Sequence, residues 1–153
     1  MSVFVVRHAK AGHRQSWEGD DRARPLSTPG QAQATALAER LAGEHVTALI
    51  SSPYVRCMQT LEPLGERLGL AIAADDRLAE GATLEDSLAL LADAGDGAVL
   101  CSHGDVIPEL IDGLHRRGME ISTRPDWRKA TSWVLELDGD DTVARGAVEP
   151  PPT

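Results

Sequence analysis

Two strand-like runs in this sequence end in histidine. Arg7-His8 follows the apolar run Val3-Phe4-Val5-Val6, and His103-Gly104 closely follows Ala98-Val99-Leu100-Cys101. A neutral imidazole nitrogen is a good nucleophile toward phosphorus and can hold a phosphoryl group as an intermediate. A guanidinium beside it, such as that of Arg7, binds phosphate oxygens through forked hydrogen bonds. After His103, a glycine lets backbone approach a ligand closely, and the helix that follows could aim its amide dipoles at an anion. Arg56 lies just beyond Ser51-Ser52-Pro53, at the first turn of another expected helix. Each feature has a plainer reading: a surface pair closing a strand, a structural histidine, an arginine facing solvent. Two histidines at two strand ends, each beside a sharp chain reversal, are harder to dismiss.

The elements that must position these residues follow from pattern. Val3 to Val6 is β-branched and aromatic without a polar position, as in a strand buried on both faces of a parallel sheet. Ala9 to Leu26 is polar and rich in Gly, Asp and Arg, and reads as a long functional loop. Thr28 is the expected N-cap of a helix with Pro29 in its first turn, ended by Gly43. Val46 to Ile50 predicts a second strand, Tyr54 to Leu68 a helix stopped by Gly69, and Leu70 to Ala73 a third short strand. Asp75 to Thr83 is expected as loop, Leu84 to Ala92 as helix, Gly97 to Ser102 as strand and Val106 to Arg117 as helix. Arg124 to Lys129 reads as a polar loop, with strands at Thr131 to Leu137 and Val143 to Val148. Strands alternate with helices, with no internal repeat or linker. The expected fold is α/β: a three-layer α/β/α sandwich on a mostly parallel sheet, one domain over 1–149, with 150–153 a loose Pro-rich tail. In such sheets sites form at the carboxyl ends of strands, where Arg7-His8, Ser51-Ser52 and Ser102-His103 converge.

Composition narrows the function classes. The 153 residues carry a formal charge of -9, against a general affinity for nucleic acid or anionic membrane, though a local arginine cluster can still take an anionic small substrate. Only 3% of residues are aromatic, so the core must come from Leu, Val, Ile and Ala. Cys57 and Cys101 are too few for a disulfide scaffold and read as reduced, buried thiols. The apolar run after Met1 is too short for a signal peptide, and no stretch approaches a membrane span, so a cytoplasmic protein is expected. Zinc held by His8, His13 and His103 with nearby aspartates is conceivable. The chain lacks a His-x-x-x-His pair or a Cys cluster, however, and neither metal nor cofactor is expected.

Taken together, the motifs resemble the histidine phosphatase superfamily, which includes cofactor-dependent phosphoglycerate mutases and small phosphohistidine phosphatases. Arg7-His8-Ala9 matches the first two positions of the family's Arg-His-Gly. Ser51, Ser52, Pro53, Arg56, Gln59 and Thr60 supply the second block, Leu78-Ala79-Glu80 the third, and His103-Gly104 the fourth. Order and spacing agree from residue 3 to about residue 137. The resemblance implies a phosphoglycerate mutase-like fold and a metal-independent phosphatase. In it His8 becomes phosphohistidine, Arg7, Arg56 and His103 bind the transferred oxygens, and Glu80 serves as acid and then base. Asp75, Asp76 and Glu85 lie near enough in sequence to compete with Glu80.

The departures bear on substrate. Ala9 replaces the family glycine, Ala11 and Arg14 stand where mutases carry a hydroxyl residue and Asn, and the insertions that recognise phosphoglycerate are missing. A phosphatase is therefore expected rather than a mutase. Arg7-His8-Ala9-Lys10-Ala11-Gly12, Trp17, Gly19-Asp20-Asp21 and Arg24-Pro25-Leu26 are similar to the histidine phosphatase domain attached to MutT-type Nudix hydrolases of actinobacteria. The present sequence has no Nudix box and reads as a stand-alone version. The likeness extends to Val106-Ile107-Pro108 and Thr131-Ser132-Trp133-Val134-Leu135. It brings a nucleoside di- or triphosphate into consideration, with Lys10, Arg14, Arg22 and Arg24 around its phosphates and Trp17 near a base; a solvated loop is the plain alternative. The expected partner is a phosphorylated small molecule, a nucleotide or a phosphohistidine protein, not nucleic acid or membrane. A phosphate-binding module without turnover is the remaining alternative.

Overall fold

In the computed structural model, which describes residues 1–140 and 142–152, seven strands form one sheet. They are β1 (Ser2–Arg7), β2 (Ala48–Ser51), β3 (Ile72–Ala74), β4 (Ala98–Ser102), β5 (Glu120–Ile121), β6 (Ser132–Leu137) and β7 (Val143–Glu149). Four helices join them: α1 (Thr28–Ala42), α2 (Val55–Leu68), α3 (Leu84–Ala94) and α4 (Val106–Arg116). The order across the sheet is β3-β2-β4-β1-β6-β7-β5. The β3-β2-β4-β1 half is parallel, β6 and β7 add antiparallel neighbours, and β5 pairs parallel with β7.

The apolar runs are explained by two cores. Val3 and Val5 of β1, with Ala98 and Leu100 of β4, pack under α3 and α4 beside Trp133 and Leu135. Phe4, Val6, Val99 and Cys101 point the other way, into Leu37, Leu41, Leu61 and Leu64 of α1 and α2. A strand covered on both faces has no position left for a polar side chain, so alternation vanishes from its sequence. The mostly parallel three-layer sandwich expected from the sequence is the fold found.

Local differences have local causes. Ser27, not Thr28, caps α1, its side chain accepting from Gly30 N at 3.2 Å. Strand β3 begins at Ile72 rather than Leu70, because Leu70 N is bonded to Gly65 O at the end of α2. The two-residue β5 carries no pattern a sequence could show. Residues 9–26 are less irregular than a loop: Ala11 bridges Leu26, and short 3-10 turns occupy Arg14–Ser16 and Asp21–Ala23. Beyond β7, the Pro150 carbonyl accepts from Arg40 at 2.9 Å. Cys57 and Cys101 are buried and unpaired. Among the described residues, no helix is long and apolar enough to cross a membrane.

Candidate active site

Strands β1, β2 and β4 run parallel, so their carboxyl ends open at one edge of the sheet. A cleft of about 810 Å³ lies there, lined by Arg7, His8, Arg56, Glu80 and His103, with Lys10, Arg14, Arg24, Asp105 and Lys129 among the residues around them.

His8 is 5% exposed and its Nδ1 lies 2.8 Å from the Ala9 carbonyl oxygen. A carbonyl only accepts, so in this contact Nδ1 carries the proton and Nε2 keeps its lone pair. Burial, aided by the charges of His103, Arg56 and Arg7 and opposed by the Ala9 bond, pushes the His8 pKa down to about 3. The imidazole is therefore neutral at any ordinary pH. It also packs edge-on against His103, with ring centroids 5.5 Å apart.

His103 is held by a different device. Its Nε2 lies 2.8 Å from Ser52 Oγ, and that oxygen also accepts from Tyr54 N at 3.3 Å. A hydroxyl oxygen accepts two hydrogen bonds as well as donating one, so the contact fixes the position of the His103 ring with either Nε2 or Ser52 Oγ as the donor. Tyr54 covers the ring edge-on at 4.6 Å. Thus Ser52, at the end of the second strand, orients the histidine at the end of the fourth.

The arginines are anchored differently again. Arg56 is 1% exposed; Nη1 donates to Asp21 O at 2.9 Å, and Nη2 reaches Asp21 Oδ2 at 3.1 Å and Glu80 Oε2 at 3.0 Å. Arg7 donates Nη1 to the Trp127 carbonyl. Its guanidinium lies flat on Gly104, where a Cβ would stand 2.7 Å from Arg7 Cζ. The glycine after His103 therefore makes room for an arginine of the same chain. Both Nε atoms are buried without a partner.

Glu80 enters the cleft between two cations, Oε1 at 2.9 Å from Arg14 Nη2 and Oε2 on Arg56. Its backbone is pinned to the His103 segment on both sides. Ser102 Oγ donates to Leu78 O at 2.7 Å, and Gly81 N donates to Asp105 Oδ2 at 2.8 Å. The sequence competitors lie elsewhere: Asp75 is tied to Arg77, Asp76 belongs to the turn Asp76–Leu78, and Glu85 sits in the first turn of α3. The carboxylates that do share the site are Asp21, which the sequence offered only within Gly19-Asp20-Asp21, and Asp105, which it did not offer.

The remaining candidates divide. Lys10, Arg14 and Arg24 line the cleft. Arg22 does not: its guanidinium is bonded to Asp20, with Nη2 at 3.1 Å from Oδ2. That local pairing, two residues apart, holds its guanidinium outside the lining of the cleft. Trp17 is exposed and flanks a smaller neighbouring pocket that shares Gly12, His13, Arg24 and Ser27 with the cleft. Gln59 and Thr60 serve the loop rather than a ligand: Gln59 Oε1 accepts from Leu26 N and Thr60 Oγ1 from Ala9 N.

Sequence reading missed Lys129, which enters the cleft from the segment before β6. The next residue, Ala130, has φ 66°, left-handed for a residue with a Cβ, at a cost of about 1–2 kcal/mol. Its N–H is shared between Arg7 O and His8 O, at 3.1 and 3.2 Å. A positive φ at alanine leaves no mark in a sequence.

The histidine phosphatase superfamily (branch 1) model matches residues 3–87. The 8-oxo-(d)GTP phosphatase of Mycolicibacterium smegmatis is 39% identical over 156 residues, 98% of this chain but 48% of that protein. The phosphohistidine phosphatase SixA of Escherichia coli is 35% identical over 77 residues, covering 49% of this chain and 46% of that protein. This chain thus spans about half the length of either curated relative at most. Among solved structures, the protein histidine phosphatase SixA complexed with tungstate aligns with TM-score 0.76 and 25% identity, over 98% of this chain and 95% of that one.

Proposed function

Because the chain belongs to the histidine phosphatase superfamily, we propose that it is a phosphatase working through a phosphohistidine on His8. The observation that carries the reading is the His8 Nδ1–H bond to Ala9 O, which leaves Nε2 unprotonated in a cleft that Arg7, Arg56 and His103 also line. In the first step the Nε2 lone pair attacks phosphorus and the bond to the leaving oxygen breaks, its proton coming from Glu80. The three equatorial oxygens meet the two guanidinium groups and His103, which donates from Nδ1 when Ser52 gives its hydroxyl proton to Nε2. When phosphate oxygens take up the Arg56 fork, Glu80 loses one of its two cationic partners and becomes the more available for proton transfer. In the second step Glu80 takes a proton from water, the oxygen attacks phosphorus and the P–N bond breaks. The side chains supply the positive charge, so the scheme needs no metal. The same proposal places the protein in the cytoplasm, supported by its two buried, unpaired thiols.

A second reading concerns what carries the phosphate. Exposed Trp17 beside the cleft and the outer cations Lys10, Arg14 and Arg24 favour a nucleotide, and the mycobacterial relative is named for one. A phosphohistidine protein is the alternative that the SixA likeness favours.

The test is trapping on p-nitrophenyl phosphate. An acid-labile, alkali-stable phosphoryl group is expected on the wild type and absent from His8→Ala, whose turnover should fall at least about a thousandfold. Near-normal turnover by His8→Ala would sink the covalent mechanism, and wild-type binding of phosphate without any turnover would leave a binding module. Chelator should leave the rate unchanged.

A further inference from the structure

Cations in the cleft fall into two groups. Arg14, Arg24 and Arg56 are each paired with Asp21, and Arg14 and Arg56 also with Glu80. Arg7, Lys10 and Lys129 line the same cleft and, among the described residues, none has a carboxylate within salt-bridge distance. Arg7 is committed to the transferred phosphoryl group. Two lysines are left over.

Both rise from backbone that is clamped. Lys10 N donates to Gln33 Oε1 at 3.0 Å, and Lys10 O accepts from Ser27 N and Ser27 Oγ at 3.0 and 3.1 Å. The start of α1 presses so closely that a Cβ on Gly30 would stand 1.8 Å from Lys10 O. Lys129 is fixed by the left-handed Ala130 that follows it and by Arg128 O, which accepts from Thr131 N and Thr131 Oγ1 at 3.2 and 2.7 Å. Burial, then the charges of Arg7, Arg24, Lys10 and Arg56, push the Lys129 ammonium pKa down. A cation held among cations on strained backbone is costly for the fold, and an anion between them would offset that cost.

We propose that Lys10 and Lys129 form a second anion subsite beside the phosphoryl pocket. The subsite takes the phosphate next to the one transferred, so the substrate is a phosphoanhydride such as a nucleoside di- or triphosphate. This rests on the phosphatase reading above and adds the substrate class to it. In the reaction the P–O bond to the bridging oxygen breaks, that oxygen leaves with the electron pair on the departing phosphate, and the two ammonium groups stabilise the charge. A phosphate leaves without full protonation, so such a substrate depends less on Glu80 than an alkyl ester does.

Calorimetric titration of full-length His8→Ala protein, which does not turn over, tests the subsite with pyrophosphate and orthophosphate as probes. Pyrophosphate is expected to bind at least tenfold tighter. Lys129→Met and Lys10→Met should each reduce that preference, their combination should bring it below twofold, and Lys129→Arg should keep most of it. Equal affinity for the two probes, or a preference that survives the double substitution, overturns the subsite while leaving the phosphatase reading intact. Failure to bind orthophosphate at all overturns the pocket itself. Thermal melting of each variant separates loss of the subsite from loss of the fold.

Discussion

The two walls of the cleft are held by different physics. Residues 9–26 reach the pocket floor through charge: Asp21 binds Arg56, Arg24 and Arg14, and Glu80 joins Arg14 to Arg56. Burial alone would raise the Asp21 pKa, but the hydrogen bond from Arg24 and the charges of Arg56, Arg24 and Arg14 outweigh it and hold the carboxyl below its usual value. The opposite wall, from Trp127 to Thr131, is held by main-chain bonds to Arg7 and His8 and by the Arg7 guanidinium. Trp127 O takes a hydrogen bond from Arg7 Nη1, Ala130 N gives to Arg7 O and His8 O, and Thr131 O accepts from Arg7 N at 3.0 Å. An incoming phosphate competes for the bonds of the first wall, because it wants Arg56 as much as Asp21 and Glu80 do. It competes for far less of the second. One wall can answer to substrate; the other keeps the template in place.

Arg56→Ala should break the charged wall most completely. It removes a phosphate donor and leaves Asp21 and Glu80 facing the cleft without their buried cation, so kcat/KM should fall at least about a thousandfold. Arg56→Lys should not restore it, since an ammonium lacks the fork. A smaller rate loss than that of the next variant would show that the wrong wall has been given the leading part. Gly104→Ala probes the backbone wall by pushing the Arg7 head away from Trp127. We expect about 10–100-fold lower kcat/KM with melting within a few degrees of wild type, because the displaced group is the tip of a long side chain. A large drop in melting temperature would instead make Gly104 structural.

The floor common to both walls responds to acid. His8 is neutral in the fold with a pKa of about 3, against 6.5 when exposed, so the unfolded chain binds the extra proton first. Stability is therefore unaffected above pH 6.5 and falls by about 2 kcal/mol between pH 6.5 and pH 5, a loss His8→Asn should abolish. Denaturant titrations of the two proteins across that range supply the check; parallel curves would mean His8 is not buried neutral. The mildest change is Asp21→Asn. Amide exchange should rise several-fold in residues 9–26 and stay constant in 127–131, while the inhibition constant for phosphate tightens about two- to fivefold as a competitor is weakened. Lowering pH through the ordinary Asp range and below should reproduce the loosening, since a depressed carboxylate stabilises above that range and loses its effect as it is protonated.

Much of this was legible in the sequence, for reasons that differ by residue. Val3 to Val6 and Ala98 to Cys101 announce two-sided burial because nothing polar interrupts them, and strand ends in a parallel sheet place His8 and His103 together. Arg22 looked equivalent to Arg14, but Asp20 sits two residues before it and captures it. Lys129 and Asp105 were invisible because their places depend on a left-handed alanine and on a contact with Gly81, and neither has a pattern along the chain. The glycine of His103-Gly104 was seen, but not that the Arg7 head needs its space, since that group is far away in sequence.

At position 9 the site depends only on a main-chain atom. What His8 needs from its neighbour is a carbonyl oxygen, which every amino acid supplies, while the Ala9 side chain is fully buried. The residue at this position is therefore limited by the volume of the surrounding core rather than by the chemistry of its side chain. The proton's location on the nucleophile is inherited with the backbone and cannot be lost by any change to that side chain small enough to fit.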